Sequence, residues 1–170
     1  MDIAFHETLD SQKTLRAAGS GVDRGRALRK SERFLLWSIR QWRSDWERWE
    51  KDADTAGHSP LYTQFAAAGL AEALPPFADA MEAVQFSARR ALDVRAPACP
   101  SLSRDEERLL TLCRLSQAGC EALVMASLAV IMMPGNRRVA SLRLAMATAA
   151  LAEAGLRLPE PALKMRPRLH

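Results

Sequence analysis

Valine and isoleucine are scarce in this chain of 170 residues, and there is a single tyrosine. No β-branched run alternates with polar residues for more than a few positions, so there is little from which to build a sheet. Cysteine is almost as thin. There are three, an odd number, and no Cys-x-x-Cys. Cys113 and Cys120 are seven apart, which on one helix separates them by about 10 Å, too far for a disulfide. Three free thiols, mostly buried, fit a reducing, cytoplasmic compartment. Of them Cys99, in a loop bracketed by Pro97 and Pro100, is the one expected to react with a probe. The three histidines, His6, His58 and His170, stand in loops or at the ends, with no i, i+4 pair and no neighbouring cysteine. That leaves no metal-ligand spacing, and the Glu-x-x-His pairs of a di-iron bundle are missing too.

Other signatures are also lacking. There is no Gly-x-Ser-x-Gly and no serine or cysteine with histidine in a recognisable order. Gly19, Gly21 and Gly25 follow no strand and precede no Gly-Lys-Ser/Thr, so they are read as a connector and not a phosphate loop. The start of the chain has no basic stretch leading into an apolar one, so no secretory signal is expected. The longest strongly apolar run, Ala122–Met133, has twelve residues, enough for a core helix and too few for a membrane span. No catalytic residue, metal or cofactor is assigned on this basis, and a non-enzymatic role is preferred.

What remains is rich in alanine and leucine, and that composition favours helices. At 48% apolar and 26% charged residues the chain is composed like a folded globular domain, long enough to bury its own core. The pattern predicts an all-α, single-domain, irregular bundle of five to six helices over residues 27–156. A mobile arm is expected over 1–26 and a mobile, basic, proline-containing tail over 157–170. Ser59-Pro60 reads as a hydroxyl cap and helix start. Pro75-Pro76 closes that short helix and opens a longer one to about Asp93, with Phe77, Met81, Val84, Ala88 and Ala91 inward and Phe86 and Leu92 widening the stripe. Ser103 and Glu106 form a capping box, the clearest boundary in the chain. Glu121–Met133, apolar nearly all round, is placed at the centre of the fold. The last helix, about Asn136–Ala154, is expected to turn Val139, Leu142, Met146, Ala149 and Ala150 inward and to stop at Gly155.

Arg29–Glu50 holds all four tryptophans. Leu35, Ile39, Trp42, Trp46 and Trp49 recur in steps of 4, 3, 4 and 3, one face of a helix. That seam reads either as core or as a protein–protein surface. Trp37 lies off it, among Arg33, Arg40 and Arg48, where cation–π contact is available. Tryptophan and arginine are the residues that dominate interface hot spots. Arg33, Trp37, Arg40 and Arg48 are therefore the candidate partner-binding set, for a protein partner or for a homodimer.

Two alternatives remain open. The net charge is +4, with most of the excess in the last third. Arg137, Arg138 and Arg143 on the last helix, with Arg157, Lys164, Arg166 and Arg168 in the tail, are candidate nucleic-acid contacts. The last helix becomes almost wholly alanine and leucine after Arg143, unlike a recognition helix. The other alternative is a small-molecule binder or enzyme with a pocket walled by tryptophans and by Met125, Met132, Met133 and Met146.

Overall fold

The computed structural model describes residues 27–51 and 59–161. Among them the chain forms six α-helices and no strand: α1 (Lys30–Lys51), α2 (Pro60–Ala67), α3 (Leu74–Phe86), α4 (Arg104–Gln117), α5 (Glu121–Ile131) and α6 (Arg137–Glu153). The fold is the all-α irregular bundle that the composition predicts. The arm over 1–26, all three histidines, and Lys164, Arg166 and Arg168 lie outside the described residues.

Three helices stop in the same way. At the end of α2, Leu70 N–H donates to Phe65 O (2.8 Å) and Gly69 N–H to Ala66 O (3.1 Å). Gly69 takes a positive φ of 71°, a conformation a Cβ would strain. This is the paired hydrogen-bond pattern of a Schellman cap, with the apolar Leu70 folding back toward the helix end. The same two bonds recur at Ala118-Gly119-Cys120 after α4 and at Ala154-Gly155-Leu156 after α6. Gly119 therefore separates two helices and does not bend one.

α6 is the helix around which the others gather. It makes its most extensive pairing with α3 and also packs on α4 and α5. Its inward residues are Ala140, Leu144, Ala147, Thr148 and Leu151. Most of the predicted inward set is overturned: Val139, Leu142, Met146 and Ala149 are exposed, on the opposite side, and Ala150 alone packs against the core. The small residues Ala140 and Ala147 face the core instead, where α3 approaches. The central place predicted for Glu121–Met133 is a second correction. Only Val124, Leu128 and Ile131 of α5 are buried, while Leu123 and Val130 face outward. Apolar composition all round does not force burial all round, because folded surfaces keep much apolar area.

α3 is shorter than its pattern suggested. It begins at Leu74, with both prolines in the first turn, and ends at Phe86. The chain then makes an isolated bridge, Ala88 with Met132, and runs without regular structure up to the start of α4. Nor does Ser59 cap α2 through its side chain. Its hydroxyl donates to Asp45 Oδ2 at 2.5 Å instead, tying the start of α2 to α1. After α6, Leu158 N–H donates to Gln117 Oε1 (2.6 Å), and Gln117 Nε2 donates to Leu156 O (3.1 Å). The first residues of the predicted mobile tail are thus docked on α4, and Pro159 is buried.

Candidate functional site

α1 and α4 are fastened at two points. Arg40 donates from Nε to Glu106 Oε1 (2.7 Å) and from Nη2 to Oε2 (2.9 Å), a bidentate pair with both side chains buried. Arg114 donates from Nη1 to Glu32 Oε1 at 3.0 Å. Each helix supplies a glutamate and, eight residues on, an arginine, so the helices run antiparallel and the two pairs are reciprocal. Each glutamate also serves its own helix start. Glu32 Oε2 accepts from Arg29 N–H (2.9 Å), and Glu106 Oε2 accepts from Ser103 N–H (2.8 Å), while Ser103 Oγ accepts from Glu106 N–H (3.1 Å). The predicted capping box is present.

Arg40 also holds the loop before α4, donating to Cys99 O (2.6 Å) and Ser101 O (2.7 Å). Arg95 N–H adds a further bond to Glu106 Oε1 (2.9 Å). Burial pushes the Glu106 carboxyl up. The Arg40 guanidinium and the Ser103 and Arg95 N–H groups outweigh it and hold the group below its ordinary value. Beside it, Asp105 accepts from Arg90 (2.7 and 2.9 Å), Asp93 N–H (2.9 Å) and Arg108 (2.9 Å). The Arg90 hydrogen bond, with those from Asp93 and Arg108, brings its pKa down to about 2 against the opposing effect of burial. These carboxylates stay charged and fully engaged, an arrangement that fixes register and offers no free base.

The candidate partner set does not gather into one surface. Arg40 is buried and committed to Glu106 and the loop, so it is withdrawn from any partner. Its position on α1 faces α4, where a charge can be buried only because a carboxylate meets it. Trp37 is half-buried against the core, its ring 6.3 Å from that of Phe34. Arg33 is exposed and donates to Leu28 O (3.0 Å). Arg48 is also exposed, 3.3 Å from Asp45.

What does gather is the far end of the tryptophan seam. Leu35 and Ile39 are fully buried, Trp42 and Trp46 are half-buried, and Trp49 is 48% exposed. The Trp42 and Trp46 rings stack at 5.6 Å, and Trp46 and Trp49 meet at 5.3 Å. Phe86, the last residue of α3 and 65% exposed, meets Trp46 edge to face at 5.2 Å. Four aromatic rings thus form a connected ladder that runs from the core edge into solvent. Arg43 with Glu47 (2.8 Å) lies along the same stretch of α1. Phe86 does not widen the inward stripe as expected: nine residues from Phe77, it lies half a helical turn away from the Phe77–Met81–Val84 face and is exposed.

The basic residues are spread differently. Arg137 donates to Met132 O (3.1 and 3.3 Å) and Arg143 to Asp79 O (3.3 Å), whereas Arg138 and Arg157 are exposed. A crevice of about 10 Å³ beside Trp42, lined also by Met81, Val84 and Leu109, has room for one water at most. An open groove of about 290 Å³ between α4 and α5 is lined by Arg104, Glu107, Arg108, Thr111, Leu112, Ser127 and Val130. Neither contains Met125, Met132, Met133 or Met146. The Cys99 thiol is half-exposed and its pKa lowered, first by the hydrogen bond with Ser101. Burial pushes Cys113 up to about 12. Among the described residues no helix is long and apolar enough to cross a membrane, and no three His, Cys, Asp or Glu side chains converge as metal ligands. In comparisons with known proteins the chain matches no family model, no curated protein and no solved structure.

Proposed function

We propose that this protein is a non-enzymatic, cytoplasmic interaction module that presents the aromatic ladder of α1 and α3 to a protein partner. One observation carries the reading: Trp49 and Phe86 are about half exposed or more, yet each is held in ring contact with Trp46. An exposed aromatic that is already ordered loses little conformational freedom when a partner covers it, and tryptophan buries more area per ordered side chain than other residues. The mixed-charge pairs Arg43–Glu47 and Arg48–Asp45 supply the polar rim that such a centre normally has. The partner this suits offers an apolar cleft edged by both signs of charge. Cytoplasmic placement rests on three free thiols.

The test compares the full chain with the double variant Trp49→Ala/Phe86→Ala as bait, followed by titration of each captured protein in purified form. A partner that binds the wild type and binds the double variant at least tenfold more weakly, with the melting temperature of the variant unchanged within a few degrees, supports the reading. Partners that bind both baits equally would overturn it.

A further inference from the structure

α6 has a second apolar face. Val139, Leu142, Met146 and Ala149 follow steps of 3, 4 and 3, and Glu153 continues the series. This is the spacing of the a and d positions in a helix-pair seam. Leu142 is 63% and Met146 57% exposed, on the side of the helix opposite Ala140, Leu144 and Leu151. From Val139 to Ala149 the seam runs about 15 Å, with Glu153 one turn further on. Ala145 and Ala149, both exposed, let another helix come close.

The charges on α6 are placed against its own dipole. Its first turn has no acidic residue and carries Arg137 and Arg138. Its last turn has no basic residue and ends in Glu153. Cations at a helix N-terminus and anions at its C-terminus are each mildly unfavourable. Arg137 is accounted for by its bonds to Met132 O. Arg138 and Glu153 are exposed and sit at opposite ends of the apolar seam.

We propose that this face pairs with the same face of a second copy of the chain, antiparallel, about a two-fold axis near Met146. In that register Met146 meets Met146 of the second copy, and Val139 meets the level of Glu153. Arg138 of each copy then lies within about one residue of the other's Glu153 and of its negative helix end. Charges that are misplaced in one copy become complementary in two, which a parallel pairing or an unrelated apolar partner does not explain. A two-fold axis doubles every such contact. The surface is separate from the aromatic ladder, and the proposal stands independently of the function proposed above.

Sedimentation of the full chain over a wide concentration range reads the result. The wild type is expected to be a dimer at micromolar concentration. Leu142→Glu, at a position exposed in the monomer, should raise the dimer dissociation constant on the order of a hundredfold, with helix content unchanged. Arg138→Glu and Glu153→Arg should each weaken the dimer about three- to tenfold, and Arg138→Glu/Glu153→Arg together should restore it. Met146→Cys in a Cys99→Ser/Cys120→Ser background gives a second measurement, because oxidation should cross-link residue 146 to itself. A wild type that stays monomeric, a dimer indifferent to Leu142→Glu, or a double reversal weaker than either single one would each overturn the proposal.

Discussion

The two halves of α1 obey one spacing and meet different fates. From Glu32 to Gln41 nearly every residue is buried, including two charged ones. From Trp42 onward the same apolar face rises out of the core, so that Trp49, its largest and last member, is half in water. The difference lies in the neighbours. α4 lies along the first half and is fastened at both Glu32 and Arg40, while beyond Trp42 the ring contact made from another described element is that of Phe86 at the end of α3. Periodicity identifies which side of a helix is apolar. It does not say how far along that side another element reaches. The first half therefore fixes register, and the second leaves ordered aromatic rings at the surface.

The sharpest way to break the contrast is at Glu106. Glu106→Gln leaves the Arg40 guanidinium buried without its countercharge, and loss of one member of such a pair costs about 3–5 kcal/mol. Urea unfolding should report that loss, with the loop residues 95–101 becoming less protected from hydrogen exchange. Arg114→Ala at the other fastening should cost less, about 1–2 kcal/mol. Arg114 makes one bond to Glu32, and its Nε is a buried nitrogen without a hydrogen-bond partner among the described residues. Equal costs at the two points would show that α1 is held symmetrically, contrary to the geometry.

Much of this architecture was open to inspection in the residues. The Ser103–Glu106 capping box and the helix start at Pro60 follow from local chemistry, which is why they appear where predicted. The three Schellman ends were equally legible. Each is an Ala-Gly followed by Leu or Cys, although only Gly155 was read as a cap. The faces of α5 and α6 were not legible, because both helices carry apolar residues on more than one side and periodicity then has two answers. In α6 the bulky set Val139–Leu142–Met146 looks like the better core face. Close approach to α3 selected the small set at Ala140 and Ala147 instead. Arg40 is hard to place from sequence for a related reason: an arginine beside a tryptophan signals a surface until its carboxylate, 66 residues away, is known. The matching eight-residue Glu-to-Arg spacing, Glu32 to Arg40 and Glu106 to Arg114, was the available hint.

Acid should loosen the start of α4, beside the Arg40–Glu106 fastening. Asp105 has a folded-state pKa of about 2 against an ordinary 3.8. Its value is depressed, so its contribution is complete above about pH 4 and is lost as the pH falls through 2. Arg90, its first partner, is more than half exposed and screened, so the contribution is discounted to about 1–2 kcal/mol. Stability measured by urea between pH 4.5 and 2 should fall by at least that amount in the wild type, because Glu106 is also held below its ordinary value. The fall should be smaller in Asp105→Asn, which is already destabilised at neutral pH. An unchanged slope in the variant would place the acid sensitivity elsewhere.

The smallest effect is the most telling one for the outer half of α1. Trp49→Ala removes a large side chain, and in a core such a change costs about 3–5 kcal/mol. Here half the ring is already in water and its neighbour Trp46 keeps contacts with Trp42 and Phe86, so the cost should be under about 1 kcal/mol. Quenching by acrylamide in variants that retain one tryptophan each should rank Trp49 as the most accessible, with Trp42 and Trp37 well below it. A Trp49 shielded at low protein concentration, or a Trp49→Ala variant as unstable as Glu106→Gln, would mean that the aromatic seam is core along its whole length. The two halves of α1 would then be one structural element with no surface left to offer a partner.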